Sequence, residues 1–320
     1  MTIWGKRAFL LGSIVAISIP LAVGCSSTTT AGSGPDSPTS EGKTKKGKKA
    51  HGGDGDVAGD DGDATAAEIP ELPMPKVGVQ GEENRSMGAK MSFTLQDSTG
   101  AAAGLLDKGW SMAEDRRVLV EKVGETAVTQ YSVLYGERKT SGLDTWTKLP
   151  TEGKGYTITH KGGTLAVLDN GKAPASPQER KVVEAEYGFI GKANPLQLAI
   201  ERAQDGQAHS LDADAYRFLL GYVPEITIEE VTIAQTGTTE AGGRRAHELE
   251  VSVTGKIPDG DITYSFDIKG PGIVDEATGW PTELTLEGPL EISGKVTVKG
   301  KQMTAVGKGT LKVERKSTIK

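Results

Sequence analysis

The 320-residue sequence predicts a mainly β domain with a helical insert, built as a large curved antiparallel sheet with helices covering its apolar face. Three observations predict it. From about Val77 onward apolar residues recur at every second position, which on a strand places them all on one face. The runs are separated by short turns such as Asp169-Asn170-Gly171 and Pro258-Asp259-Gly260, the chemistry of hairpins. Between an early and a late group of such runs lies a stretch of about 176–221 with three helix starts, so the order is strands, helices, strands.

The early runs are Val118/Val120, Tyr131/Val133/Tyr135, Tyr156/Ile158 and Leu165/Val167. In the insert, Ser176-Pro177-Gln178-Glu179 offers a cap serine, a first-turn proline and a glutamate three residues on, the capping box. Val182, Val183, Tyr187 and Ile190 then line an apolar side. Asn194-Pro195 opens a second helix carrying Leu196, Ala199 and Ile200, and Asp212 opens a third carrying Ala215, Tyr216, Leu219 and Leu220. The later runs are Ile226/Ile228, Val231/Ile233, Leu249/Val251/Val253, Ile262/Tyr264/Phe266/Ile268, Leu284/Leu286, Val296/Val298 and Leu311/Val313. A sheet with one dry face must cover it, and the helices are the available cover. The two strand groups form halves of one sheet or two subdomains; a boundary near Pro224 is the natural place if there are two.

The first 76 residues have a different character. Lys6 and Arg7 precede an uncharged apolar stretch running to Val23, followed by Gly24-Cys25, the layout of a secretory signal. Leu21-Ala22-Val23-Gly24-Cys25 resembles the lipobox of bacterial lipoproteins. The resemblance implies a signal peptide over 1–24, Cys25 as the acylated first residue (palmitate among its chains), and, with Ser26 next, sorting to the outer membrane. An uncleaved anchor is the alternative, though Pro20 and Gly24 interrupt a stretch already short for a span. More than one acyl chain, at about 0.8 kcal/mol per buried CH₂, suffices for stable anchoring.

Residues 25–76 read as a disordered tether of Ser, Thr, Gly, Pro and charge, with an r.m.s. reach of roughly 40 Å. Its charge is divided into two blocks. Lys43, Lys45, Lys46, Lys48 and Lys49 come first, then Asp54, Asp56, Asp60, Asp61 and Asp63. Solvation is the ordinary role of such blocks; contact of the lysines with anionic head groups or cell-wall polymer is the alternative. The lysine segment lacks the strand and the Ser/Thr of a phosphate-binding loop, and the aspartate run lacks the spacing and terminal glutamate of a calcium loop.

Composition and motifs argue against most chemistry. A formal charge of −6 disfavours nucleic acid as a partner. The single cysteine leaves no intramolecular disulfide, CxxC pair or multi-cysteine zinc site. His247-Glu248 lacks a second histidine four residues on, and no GxSxG occurs. We therefore expect no enzyme, no catalytic residues, no metal and no cofactor. Carboxylates are too numerous for the sequence to single out an acid/base pair.

Ile273-Val274-Asp275-Glu276-Ala277-Thr278-Gly279-Trp280-Pro281 resembles a hairpin of the half-barrel superfamily of lipoprotein-localisation factors and related periplasmic sensor domains. In that superfamily a strand ends in Asp, a Thr-Gly turn follows, and an apolar residue with Pro opens the next strand. The resemblance implies a half-barrel capped by helices around an apolar groove. Tyr264, Phe266, Ile268, Leu284 and Leu286 are then expected on its floor, as plain core or as ligand contacts, and Trp280 at an exposed rim. The function expected is an envelope lipoprotein that binds an apolar ligand or a protein partner without catalysis. A structural envelope protein and, more remotely, an envelope hydrolase are the other readings.

Overall fold

The computed structural model describes residues 72–142, 148–298 and 300–320; the leader, Cys25 and the tether lysines lie outside them. The described residues belong to one unit, Ala66–Lys320, whose contacts do not divide at Pro224. Its strands are β1 (Gln80–Gln96), β2 (Ala102–Val123), β3 (Val128–Tyr135), β4 (Lys139–Ser141), β5 (Gly155–Lys161), β6 (Thr164–Asp169), β7 (His209–Ser210), β8 (Thr227–Ala241), β9 (Arg244–Asp259), β10 (Ile262–Asp275), β11 (Pro281–Val298) and β12 (Lys301–Ile319). The helices are α1 (Pro177–Tyr187), α2 (Pro195–Arg202) and α3 (Ala213–Leu220).

All the strands share a single open antiparallel sheet in the order β6-β5-β3-β2-β1-β12-β11-β10-β9-β8-β7, with β4 pairing β2 off that path. The last strand lies beside the first, so the two strand groups meet in the middle of one sheet: Arg85 lies opposite Arg315, and Gly81 opposite Ile319. On the convex face Lys308, Lys312 and Lys316 of β12 stand opposite Glu291, Glu287 and Glu283 of β11. Each such cross-strand pair contributes roughly 0.2–1 kcal/mol and favours this register over a one-residue slip.

The helices start at their capping residues. Glu179 N donates to Ser176 Oγ at 3.3 Å while the Glu179 carboxylate accepts from Ser176 N at 2.8 Å. Asn194 accepts from Leu196 N at 3.0 Å and Asp212 from Ala215 N at 2.9 Å. Val183, Tyr187, Leu196, Ile200, Phe218 and Leu219 are buried and join one core with the concave side of the sheet. Phe189 meets Phe218 edge-on, with centroids 4.9 Å apart.

The hairpin between β10 and β11 forms as its residues suggest. Asp275 Oδ1 accepts from Thr278 N and Oγ1 at 2.8 and 2.7 Å, and Gly279 takes φ +66°. Arg244 clasps the same carboxylate with Nε at 2.6 Å and Nη2 at 3.1 Å. The N-terminus of α2 sits on this turn: Gln197 Nε2 donates to Glu276 O at 2.9 Å and to Pro73 O at 3.0 Å, which ties the incoming chain to the domain.

Trp280 departs from expectation. It is 6% exposed, not at a rim, because its ring folds inward over Gly81, where any Cβ would lie 2.7 Å from the indole. Its centroid is 6.3 Å from that of Tyr131. The strand pattern also differs at two places. β1 and the middle of β2 carry no clean apolar alternation, since their inward positions include Glu83, Arg85, Glu114 and Arg116. Ile226/Ile228 and Val231/Ile233 belong to a single stretch around β8, where a register shift between Ile228 and Glu230 breaks the rhythm.

Gly221, which ends α3, has φ +82°, and a Cβ there would lie 1.1 Å from Arg85 Nη1. Gly221→Ala is therefore expected to destabilise the domain by at least about 2 kcal/mol, from backbone strain together with displacement of a buried guanidinium. A urea midpoint equal to that of the parent chain would contradict this packing.

Candidate functional site

The helix layer is held to the sheet by a cluster of buried charges. Their inward placement follows from strand parity: Glu83 and Arg85 share a face with Ala89 and Met91 of β1, Glu114 and Arg116 with Trp110 and Met112 of β2, and Arg315 with Leu311 and Val313 of β12. Pairing brings them together, with Glu114 opposite Arg85 and Arg116 opposite Glu83. Glu186 descends into this patch from the buried side of α1.

Arg116 bridges two carboxylates, with Nη1 2.6 Å from Glu186 and Nη2 2.8 Å from Glu83. Arg315 Nη2 reaches Glu83 at 2.5 Å, and its Nη1 donates to the carbonyls of Phe218 and Leu219 at 2.5 and 2.6 Å. Those carbonyls belong to the last turn of α3, where a cation is favoured by the helix dipole. Arg85 binds Glu114 and lies 3.2 Å from Glu186. The Glu186 carboxylate also accepts Tyr222 N at 2.9 Å and Tyr135 Oη at 3.0 Å. Further out, Arg138 reaches Glu114 at 3.3 Å and Glu225 at 3.4 Å.

Burial alone would raise the carboxyl pKa values, but the guanidiniums outweigh it. Glu83 is brought down to about 2 by Arg116, Arg315 and Arg85. Glu186 is likewise held below the usual range, by Arg116, Arg85 and the Tyr222 amide. Burial pushes the neighbouring Tyr135 and Tyr187 hydroxyls up, so they stay protonated. Glu83 and Glu186 are thus held ionised, and Tyr135 and Tyr187 neutral, around neutral pH.

These contacts position the connection from α3 to β8. Tyr222 is pinned by Glu186 and Glu225 by Arg138, so the segment between them lies across the concave face. Beneath it is an apolar cleft with a cavity volume of about 90 Å³. Leu220 and Val223 form one wall; Ile226, Ile228, Phe266 and Ile268 belong to the other side, with Met87, Leu311 and Val313 of the central strands. Arg217 stands at this cleft, its guanidinium 5.7 and 5.9 Å from the ring centroids of Tyr216 and Tyr222.

Of the residues the sequence singled out, Phe266 and Ile268 line the cleft. Tyr264, Leu284 and Leu286 are buried in the core beside it, Leu286 opposite Val313 and Leu284 opposite Arg315. Trp280 lies apart, in a 20 Å³ void with Gly81, Tyr187 and Phe218. The lysines 43–49 and Cys25 fall outside the described residues. Among the described residues no group of three or more His, Cys, Asp or Glu is arranged to hold a metal ion. The buried charges were not foreseen; the available signal was opposite charge recurring at alternate positions, Glu83/Arg85 and Glu114/Arg116.

No protein-family model matches the chain, and no curated protein matches it. Solved structures give faint likenesses. DynF from the dynemicin biosynthesis pathway of Micromonospora chersina is 12% identical, over 78% of this chain and 86% of that one, with a TM-score of 0.20. An outer membrane channel from Pseudomonas putida F1 is 6% identical over 78% and 98%, with a TM-score of 0.19. The MucA/MucB complex of Pseudomonas aeruginosa gives 10% identity over 70% and 88%, with a TM-score of 0.08. Scores this low say nothing of this chain's function.

Glu186→Ala leaves Arg85 and Arg116 short of a buried counter-charge and frees the Tyr222 amide. We expect a loss of about 3–5 kcal/mol in denaturant unfolding; a loss below about 1 kcal/mol would contradict the cluster's role. Because the folded-state pKa of Glu83 is depressed, its contribution is complete above the unfolded value of 4.5 and is lost as pH falls towards about 2. The urea midpoint should fall steeply across that window, and a flat profile there would contradict the ion pairs.

Proposed function

We propose that the protein is a lipid-anchored, non-catalytic binding module of the bacterial envelope, whose cleft receives an apolar ligand or the apolar side chains of a protein partner. The observation that carries the binding reading is the cleft itself, a mostly aliphatic hollow between the helix layer and the concave face, next to residues held by the charge cluster. Its volume of about 90 Å³ is smaller than the roughly 150 Å³ that admits benzene. An occupant larger than a branched side chain therefore requires the segment around Tyr222 to lift, breaking the Tyr222–Glu186 and Arg138–Glu225 contacts.

The non-catalytic reading is supported by the state of the carboxylates. Glu83 and Glu186 share Arg116, and both are driven further into the ionised form, whereas a hydrolase needs one carboxyl kept protonated beside an ionised one. The envelope assignment rests on the leader, with Cys25 as the acylated residue and residues 26–76 as the leash.

Two measurements test this. Cys25→Ala is expected to abolish fatty-acid labelling and release the chain from the membrane fraction; unchanged labelling would end the anchor reading. Ile228→Trp, at the half-buried edge of the cleft, should fill it and weaken binding of the apolar dye anilinonaphthalene sulfonate by about tenfold or more. Equal dye binding by a variant with an unchanged circular dichroism spectrum would remove the cleft as the site.

A further inference from the structure

The four central strands run well past the helices. The buried charges and α3 meet the sheet around residues 81–87 of β1, yet β1 continues to Gln96, and β2, β11 and β12 extend with it. At about 3.4 Å per residue this adds an arm roughly 30 Å long. The arm comprises residues 89–110 and 289–310; its base joins the core through Ala89, Met91, Trp110, Leu290 and Ile292, and beyond them the strands run on to the turn between β1 and β2.

Its surface differs from the rest of the domain in two ways. Among the described residues, three of the five strongly exposed large apolar side chains lie on it: Leu105 at 68%, Leu106 at 45% and Val306 at 45%. They point to both sides. Leu106 lies opposite Phe93 and shares the concave face with half-exposed Leu95, Val296, Val298 and Met303, whereas Leu105 and Val306 stand on the convex face. In charge, the described residues of the arm include Lys90, Lys108, Lys295, Lys301 and Lys308 against Asp97, Asp107 and Glu291, with no arginine or histidine. It is net positive on a chain whose formal charge is −6.

We infer that this arm docks on an anionic lipid surface, with its apolar side chains dipping into the interfacial layer and its lysines facing the head groups. The two-sided exposure favours lipid over a protein partner: a protein covers one face of a thin sheet, while an interface surrounds it. The lysine excess supplies charge complementarity to anionic lipid. The inference is independent of Cys25 and of the cleft.

The test places an environment-sensitive thiol fluorophore on the full chain carrying Cys25→Ala and Leu106→Cys, with Thr238→Cys on exposed β8 as the remote control. The probes are vesicles of phosphatidylcholine with and without phosphatidylglycerol. Site-specific labelling separates the arm from any other hold on the vesicle. We expect a blue shift at position 106, absent at 238, only with phosphatidylglycerol. Lys90→Gln, Lys108→Gln and Lys308→Gln, all exposed, should weaken it by roughly fivefold each at most. The inference is overturned by no shift at 106, by equal shifts at both positions, or by equal shifts with both vesicle types. A shift that grows with protein concentration in the absence of vesicles would also overturn it, assigning the arm to a second copy of the chain.

Discussion

The structure depends on how Arg116 and Arg315 hold Glu83 between them while Arg116 also holds Glu186. A sheet this wide has a dry face that three short helices only partly cover, and apolar contact alone would allow the helices to slide. Paired charges cannot slide, because moving any member strands the others in a medium that does not solvate them. The cluster is therefore weak as a source of net stability and strong as a source of register. It places α1 through Glu186 and α3 through its last carbonyls, and it sets where the following segment crosses the sheet.

That crossing makes the candidate site. The cleft is bounded by a segment whose attachments are polar at both ends, Tyr222 to Glu186 and Glu225 to Arg138, and whose middle contributes apolar wall. Lifting it takes the Tyr222 amide from the buried Glu186 carboxylate, a bond that water does not replace while the cluster stays dry. The same residues that fix the resting geometry thus define what must change for a larger occupant to enter.

Glu83 and Glu186 also show why proximity of carboxylates is not chemistry. Two carboxyl groups sharing one partner suggest an acid/base pair until the guanidiniums are counted. With Arg85, Arg116 and Arg315 against them, both are driven into the ionised form. The arrangement behaves as a structural salt cluster.

The amino-acid sequence by itself determined the strand rhythm, the turns and the three helix starts at Ser176, Asn194 and Asp212, because each depends on side chains within a few residues of one another. It also marked Phe266 and Ile268 as members of the dry face through simple alternation. It did not reveal β1, since Glu83 and Arg85 occupy inward positions where an apolar residue is expected, and their partners are 33 and 101 residues away along the chain. Nor did it place Trp280, whose burial depends on Gly81 lying beneath the ring. Only the tertiary structure decided these, for the reason that a charge or a large ring can be buried just where distant chain segments supply its counter-charge or its space.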